Sequence, residues 1–440
     1  MATFVEPRVP RGMRDMLPEK MLKRRYVIGV VERVFERFGF EPLQTPVLEL
    51  QQTVMGKYGP DAEKLIYDAR HREGKEDLAL RYDLSVPLSR VVAMNPELVK
   101  PFKRYQIAPV WRAERPQKGR YREFYQCDAD IVGTSSMLAD AEIVAMIFTV
   151  LSELGFKQFV TKLNNRKVLT ALGEYSGVAP ALLPNLYRAI DKLEKIGQDG
   201  VREEMLRAEI SSETIAKIFD LIALPVNDLN AWREQFRAYP GGIEGVNELG
   251  QLVQFARELG VQPERLQIDL TMVRGLEYYT GPIFETVVTE PKIGSLTGGG
   301  RYDGLVGLFS KNSLPVTGTS LGIERIIDVM DELDMYPPDL GKTVVDVFVT
   351  VFDAERRATA LAVAMELRAA NFNTEVWYDL DSLGKQLKYA SARGIPFVII
   401  IGPDEAAANV VTLRDLQTGA QEQIARNVLA TTLQEKTRRA

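Results

Sequence analysis

Twelve consecutive residues bring a cation, carboxylates and aromatic hydroxyls together: Arg274-Gly275-Leu276-Glu277-Tyr278-Tyr279-Thr280-Gly281-Pro282-Ile283-Phe284-Glu285. Thr280-Gly281-Pro282 reads as a turn and Ile283–Val288 as a strand. An arginine at the mouth of a strand is a fixed cation with a planar donor fork, suited to phosphate or carboxylate. The tyrosines add apolar faces tipped with a hydroxyl. The same residues would also serve a surface hairpin with a stacked Arg–Tyr pair.

A second concentration runs from Phe102 to Ile131. Two β-rich arms flank a charged loop, Glu114–Gly119, which contains Pro116 and Gly119. On the outgoing arm Phe124, Gln126, Asp128 and Asp130 alternate with Tyr125, Cys127, Ala129 and Ile131. A period of two puts Gln126 and Asp130 on one face of a strand. Buried there, an amide and a carboxylate cost free energy unless something polar binds them. A solvated sheet face is the other reading.

Arg81-Tyr82-Asp83-Leu84-Ser85-Val86-Pro87 is a strand end, capped by Asp83 or Ser85 before a helix at Leu88–Met94. The glycine-rich Gly294–Gly304 does not fit a dinucleotide loop, because Asp303 falls where the third glycine should be. Gly341-Lys342-Thr343 fails as a P-loop end, with Tyr336 at the first glycine position. Consecutive glycines in a strand more often let a backbone or ligand approach closely.

Histidine scarcity narrows the chemistry. The chain has one histidine, His71, in the charged turn Arg70–Lys75, where solvation is expected. It has one cysteine, Cys127. A Ser/His/Asp triad, a thiolate cluster, a multi-histidine zinc site and an internal disulfide are thereby excluded, and a reducing cytoplasm is expected. Chemistry must rest on Arg, Asp, Glu, Tyr, Gln and backbone groups.

Taken together these segments resemble the histidyl-tRNA synthetases, a class II aminoacyl-tRNA synthetase family. Arg274–Tyr279 is similar to that family's peptide Arg-Gly-Leu-Asp-Tyr-Tyr, with Glu277 in place of aspartate. Gly294–Gly304 resembles its second peptide. Arg81–Ser85 resembles an Arg-Tyr-Asp-Leu-Thr segment, with Ser85 in place of threonine. Phe102–Ile131 resembles the second class II motif and Thr319–Ile327 the third. The class I signature, which begins with a histidine pair, is absent.

The resemblance implies a histidine–tRNA ligase that makes histidyl-adenylate from ATP and L-histidine, then acylates tRNA(His). It assigns Arg112 and Arg274 to the α-phosphate as catalytic cations in contact with the amino acid. Asp83, Leu84, Ser85, Gln126, Asp130, Tyr278 and Tyr279 are implied for histidine. Of these, Asp83, Ser85 and Gln126 meet the α-amino group, and Asp130 and Tyr279 meet the two imidazole nitrogens. ATP falls to Arg112, Glu114, Arg120, Phe124 and Arg325, and the tRNA acceptor end to Gln117 and Lys118. Magnesium is implied as a companion of ATP, with no zinc or organic cofactor. A homodimer away from membranes is implied as well.

The elements that must position these residues follow from pattern. With 440 residues, several domains are expected. Content of 45% hydrophobic and 26% charged residues is that of a soluble globular chain. Net charge −5 gives no global pull on nucleic acid. There is no apolar run of membrane-spanning length and no signal-peptide core near Met1. A helix from about Glu19, apolar at Val27, Val31, Val34, Phe35 and Phe38, stops at Gly39 and leads to an extended Phe40–Glu49. This pair resembles the first class II motif, at the family's dimer interface.

The expected fold is a multidomain α/β chain: a class II antiparallel-sheet catalytic core with a helical insertion, plus a C-terminal α/β anticodon-binding domain. The expected boundaries are 1–169 and 261–336 for the core, 170–260 for the insertion, 337–342 for a linker and 343–440 for the last domain. In the insertion, Leu186–Ile196, Ser212–Ile222 and Val246–Leu259 have helical periods. A strand at Leu266–Met272 follows. Alternating strand and helix signals beyond 343 imply a mainly parallel sheet. Two other readings stay open: a regulatory paralogue serving histidine biosynthesis, and a synthetase-like sensor that binds tRNA without charging it.

Overall fold

The structure, a computed structural model, describes residues 5–55, 63–117, 119–225, 228–273, 278–338 and 340–437. The chain divides into two compact units, one of Met1–Arg14 and Val27–Met335, the other of Asp15–Tyr26 and Tyr336–Ala440. Among the described residues no helix is long and apolar enough to cross a membrane.

Among the described residues the first unit carries eleven strands in chain order: β1 Glu41–Pro42, β2 Leu48–Leu50, β3 Asp68–Ala69, β4 Leu78–Leu80, β5 Phe102–Trp111, β6 Glu123–Val132, β7 Phe159–Asn165, β8 Leu266–Ile268, β9 Pro282–Val288, β10 Thr297–Arg301 and β11 Val316–Leu321. Eight form one sheet in the order β1-β5-β6-β11-β10-β9-β7-β8. Its middle pairings are all antiparallel, and only the edges β1–β5 and β7–β8 run parallel. The extended run after Gly39 breaks between Pro42 and Leu48, a stretch that holds Pro46. Its first part pairs with β5, its second with β4 in a small sheet, β2-β4-β3.

Register decides which side chains meet. Arg104 lies opposite Asp130 and Gln106 opposite Asp128 across β5–β6. On the other side of β6, Gly318 faces Asp130 and Ser320 faces Asp128. Gly300 then faces Gly318, and Gly298 faces Ser320. Opposed residues share a sheet face, so β6, β11 and β10 build one polar floor with glycines beside it.

Helices cover the sheet. Met137–Glu153, capped by the Ser136 side chain, buries much of its surface against it. Asn165 ends β7 and caps the helix Arg166–Ser176 through Lys167 N. This begins a helical insertion whose last member, Pro240–Glu258, packs on both of those helices. The single helix expected at Leu186–Ile196 is two, Leu183–Ile190 and Leu193–Arg207, with Gly197 at φ 68° inside the second. Apolar spacing continues across the break, so periodicity did not reveal it. The strand expected at Leu266–Met272 ends at Ile268, because Asp269 Oδ1 accepts from Thr271 N and Oγ1 and turns the chain.

The second unit holds β12 Val347–Val349, β13 Thr374–Val376, β14 Phe397–Ile400, β15 Val410–Asp415 and β16 Gln421–Ala425, ordered β13-β12-β14-β15-β16. Here the expectation of a mainly parallel sheet needs correcting. β12 runs parallel to β13 and β14, but β14–β15 and β15–β16 are antiparallel. The connection from Ile400 to Val410 is shorter than the dozen or so residues a parallel crossover requires. Strand β12 is buried along its whole length, with Val347 and Val349 in one core cluster and Phe348 in the other.

Candidate active site

Two cavities adjoin above the floor of β6, β11 and β10. The first, about 320 Å³, is lined by Arg112, Glu114, Gly119, Arg120, Phe124, Ser295, Glu324 and Arg325 among others. The second, about 220 Å³, is lined by Asp83, Ser85, Asp128, Asp130, Tyr278, Tyr279, Tyr302 and Gly318 among others. Arg112, Gln126, Gly298 and Ser320 line both. One cavity is rich in arginine and the other in carboxylates.

The arginine-rich cavity is prepared for a flat ring and an anion. Arg112 Nε donates to Tyr82 O at 3.1 Å, which fixes the guanidinium 4.4 Å from the Tyr82 ring centre and 5.2 Å from that of Phe124. Arg325 Nη1 donates to Ser295 O at 2.7 Å. Glu114 pairs with Arg120 at 3.1 Å. Arg120 is half exposed, so that pair is worth little as a stabiliser. Glu324, which the sequence reading left out, lines this cavity and pairs with Arg14.

The carboxylate-rich cavity is more tightly wired. Asp130 is 2% exposed. Its Oδ1 accepts from the Tyr302 hydroxyl, and its Oδ2 lies 2.8 Å from Arg104 Nη2 without hydrogen-bond alignment. Oδ2 therefore keeps acceptor capacity. Arg104 is fully buried and also donates through Nη2 to Leu84 O at 3.2 Å. Burial raises the Asp130 carboxyl above its ordinary range, while Arg104 and the Tyr302 hydroxyl pull it down. Burial pushes Asp128 up to about 7, with Arg104 opposing and Asp130 adding to the rise. Two carboxyls share one buried guanidinium, and a cationic ligand end would favour their ionised forms.

Asp83 serves two purposes. Its Oδ1 accepts from Val86 N at 3.0 Å at the start of the helix Ser85–Met94, and it lines the second cavity. Ser85 hydrogen-bonds the Tyr278 hydroxyl. The Tyr278 ring stacks 5.0 Å from Tyr302 and meets Tyr279 edge-on at 5.1 Å. Tyr302 supplies a hydroxyl to Asp130 in this structure.

Some residues lie elsewhere. Leu84 is buried with Ala108, Val110 and Phe124 and lines neither cavity. Gln117 bridges to Arg120 at the tip of the β5–β6 loop, also outside both linings. Arg274, Glu277 and Lys118 lie outside the described residues. His71 is exposed in a turn closed by Gly74 N to His71 O. His71→Ala should leave turnover within about twofold of wild type, as surface changes seldom exceed ±0.5 kcal/mol. Loss of activity in a folded variant would overturn that placement.

Sequence reasoning missed Tyr302, Ser320, Gly318 and Arg104. Tyr302 sat inside the quoted glycine-rich peptide without a role. Asp128 shared the period-two face with Gln126 and Asp130, which was signal enough to include it.

Known proteins share this arrangement of segments. The family model for histidyl-tRNA synthetase matches residues 12–326, and that for an anticodon binding domain matches 346–436. The histidine–tRNA ligase of Aeropyrum pernix is 44% identical over 417 residues, 94% of each chain. The crystal structure of histidyl-tRNA synthetase from Nostoc sp. PCC 7120 superposes with TM-score 0.87 at 34% identity, over 98% of this chain and 100% of that one. A Bacillus halodurans structure described as an ATP phosphoribosyltransferase regulatory subunit/histidyl-tRNA synthetase shares the fold at TM-score 0.75 and 22% identity, over 91% of this chain and 99% of that one. The antiparallel core sheet with its helical insertion and separate C-terminal α/β unit is the class II architecture that the motifs implied. By family model, identity and fold alike, the chain belongs to the histidyl-tRNA synthetase family.

Proposed function

We propose that the chain is a histidine–tRNA ligase, joining histidine to AMP with release of pyrophosphate and then passing the histidyl group to the 3′ end of tRNA(His). The observation that carries this reading is the pair of adjoining cavities of opposite character, which share Arg112. ATP fits the arginine-rich side, with its adenine on Phe124 and against Arg325 and its outer phosphates toward Arg120. Glu114 takes the adenine's exocyclic donors. Histidine fits the carboxylate-rich side. Asp83, Ser85 and Gln126 meet the ammonium, and Asp130 accepts from an imidazole N–H while Tyr279 meets the other nitrogen.

At the junction a histidine carboxylate oxygen attacks the α-phosphorus and the bond to pyrophosphate breaks. Such a step needs positioning and charge neutralisation more than a general base. Arg112 supplies a preorganised cation there, and Arg274 a second one by the resemblance of its peptide. Magnesium, arriving with ATP, would neutralise phosphate charge. In the second step the terminal ribose hydroxyl attacks the acyl carbon and AMP leaves. The resemblance supports a role for Gln117 and Lys118 at the acceptor end and for residues 343–440 at the anticodon. The family's homodimer and a cytoplasmic setting complete the proposal.

ATP–pyrophosphate exchange with histidine as the amino acid tests the reading. Wild-type protein should exchange, and Arg112→Ala or Arg274→Ala should slow exchange by about two to three orders of magnitude, the usual cost of one preorganised donor. A folded wild type with no histidine-dependent exchange favours the regulatory paralogue, whose fold is shared.

A further inference from the structure

We propose that Asp128 is a positioning residue: acting through Ser320, it turns the Gln126 amide so that Oε1, and not Nε2, faces the ammonium end of the bound amino acid. The inference rests on the histidine reading of the second cavity and deepens it. Asp128 is 3% exposed, lines that cavity and sits opposite Ser320 in the β6–β11 register. The Ser320 hydroxyl beside the Asp128 carboxyl favours its ionised form, as a donor to that carboxylate does. Gln126 Nε2 donates to Ser320 Oγ at 3.2 Å.

A serine hydroxyl has one proton to give. When Asp128 is ionised that proton goes to it, and Oγ can only accept from the amide. The two ends of a carboxamide are almost the same shape, so the surrounding hydrogen bonds decide which end points where. The outcome is visible at Gln126: Nε2 is engaged, and the buried Oε1 has no partner among the described residues. A bare buried acceptor beside a cavity calls for a donor, and an ammonium carries three.

An asparagine in place of Asp128 reverses the polarity. Its Nδ2 donates to Ser320 Oγ, the serine proton turns to Gln126, and the amide presents its NH₂ to the ammonium. Asp128→Asn should therefore raise the histidine KM about tenfold or more in pyrophosphate exchange, with the ATP KM unchanged, as expected for losing one hydrogen bond to a charged group. In a Ser320→Ala background the relay is already cut, so the same change should shift the histidine KM less than about twofold. Gln126→Glu in the Asp128→Asn background has no donor end to present and should bring the histidine KM back to within about threefold of wild type. Equal losses in both backgrounds, or no loss in either, would overturn the relay. So would failure of the glutamate rescue in a protein that melts normally. If Asp128→Asn does not fold, Ser320→Ala alone must raise the histidine KM about threefold or more, and an unchanged value overturns the proposal. A wild type that exchanges with histidine while these variants behave additively removes only the relay. A wild type without histidine-dependent exchange removes the functional reading beneath it.

Discussion

Asp130→Asn is expected to raise the histidine KM by about one to two orders of magnitude while leaving the ATP KM close to wild type. The substitution keeps the size of the side chain and removes its charge. Asp130 lies on the carboxylate-rich side alone, so ATP should not sense the change. A hydrogen bond to a charged group contributes about 1.5–3 kcal/mol, and 1.4 kcal/mol is a factor of ten. A second effect accompanies the first. Arg104 is fully buried, and Asp130 is the carboxylate it pairs with among the described residues. Removing one partner of a buried pair typically costs about 3–5 kcal/mol, so the melting temperature should fall as well. Exchange kinetics at varied histidine, beside a thermal melt, separate the two effects. A histidine dependence within about twofold of wild type in a folded variant would remove Asp130 from the imidazole site.

Gly318→Ala should lower kcat/KM for histidine about a hundredfold, through a residue that contacts no ligand in the proposed reading. A Cβ built at Gly318 would stand 1.9 Å from Asp130 Oδ1, 2.6 Å from its Cγ and 2.8 Å from Ala129 O. Ordinary contact begins near 3.4 Å, so Asp130 or strand β11 must move by more than 1 Å. The strand cannot easily yield, since Gly318 lies in register between Asp130 on β6 and Gly300 on β10. The carboxylate must therefore move, taking the hydroxyl of Tyr302 and the Arg104 pair with it. A misplacement of about 1 Å at a reacting site can cost about a hundredfold. Overpacking in a filled core adds about 1–3 kcal/mol of destabilisation. Wild-type kinetics in the alanine variant would show that the floor is softer than its packing implies.

The sequence was most informative where periodicity is local. The period-two arm Glu123–Val132, the helical run before Leu259 and the alternation after 343 each carry their signal in neighbouring residues. It was least informative where the partner is remote. β6 pairs with β11, although the whole helical insertion and four strands lie between them in the chain. Nothing near Gly318 announces that Asp130 will stand over it. Arg104 read as one more strand residue, because its value comes from a carboxylate on the next strand and the carbonyl of Leu84. The edge strand β16 escaped because four of its five residues are exposed and it lacks an apolar stripe.

The double attachment of Arg104 also bears on what the pocket can admit. One guanidinium grips the Leu84 carbonyl, between Asp83 and Ser85, and lies against Asp130. A guanidinium is planar and stiff, and Leu84 is anchored in its own core cluster. The segment proposed for the ammonium and the carboxylate proposed for the ring are therefore held at a set separation, like the jaws of a caliper. Such a pocket measures length. A side chain one methylene shorter or longer than histidine could seat one end only by abandoning the other, and one methylene alone is commonly worth about 1–3 kcal/mol of discrimination.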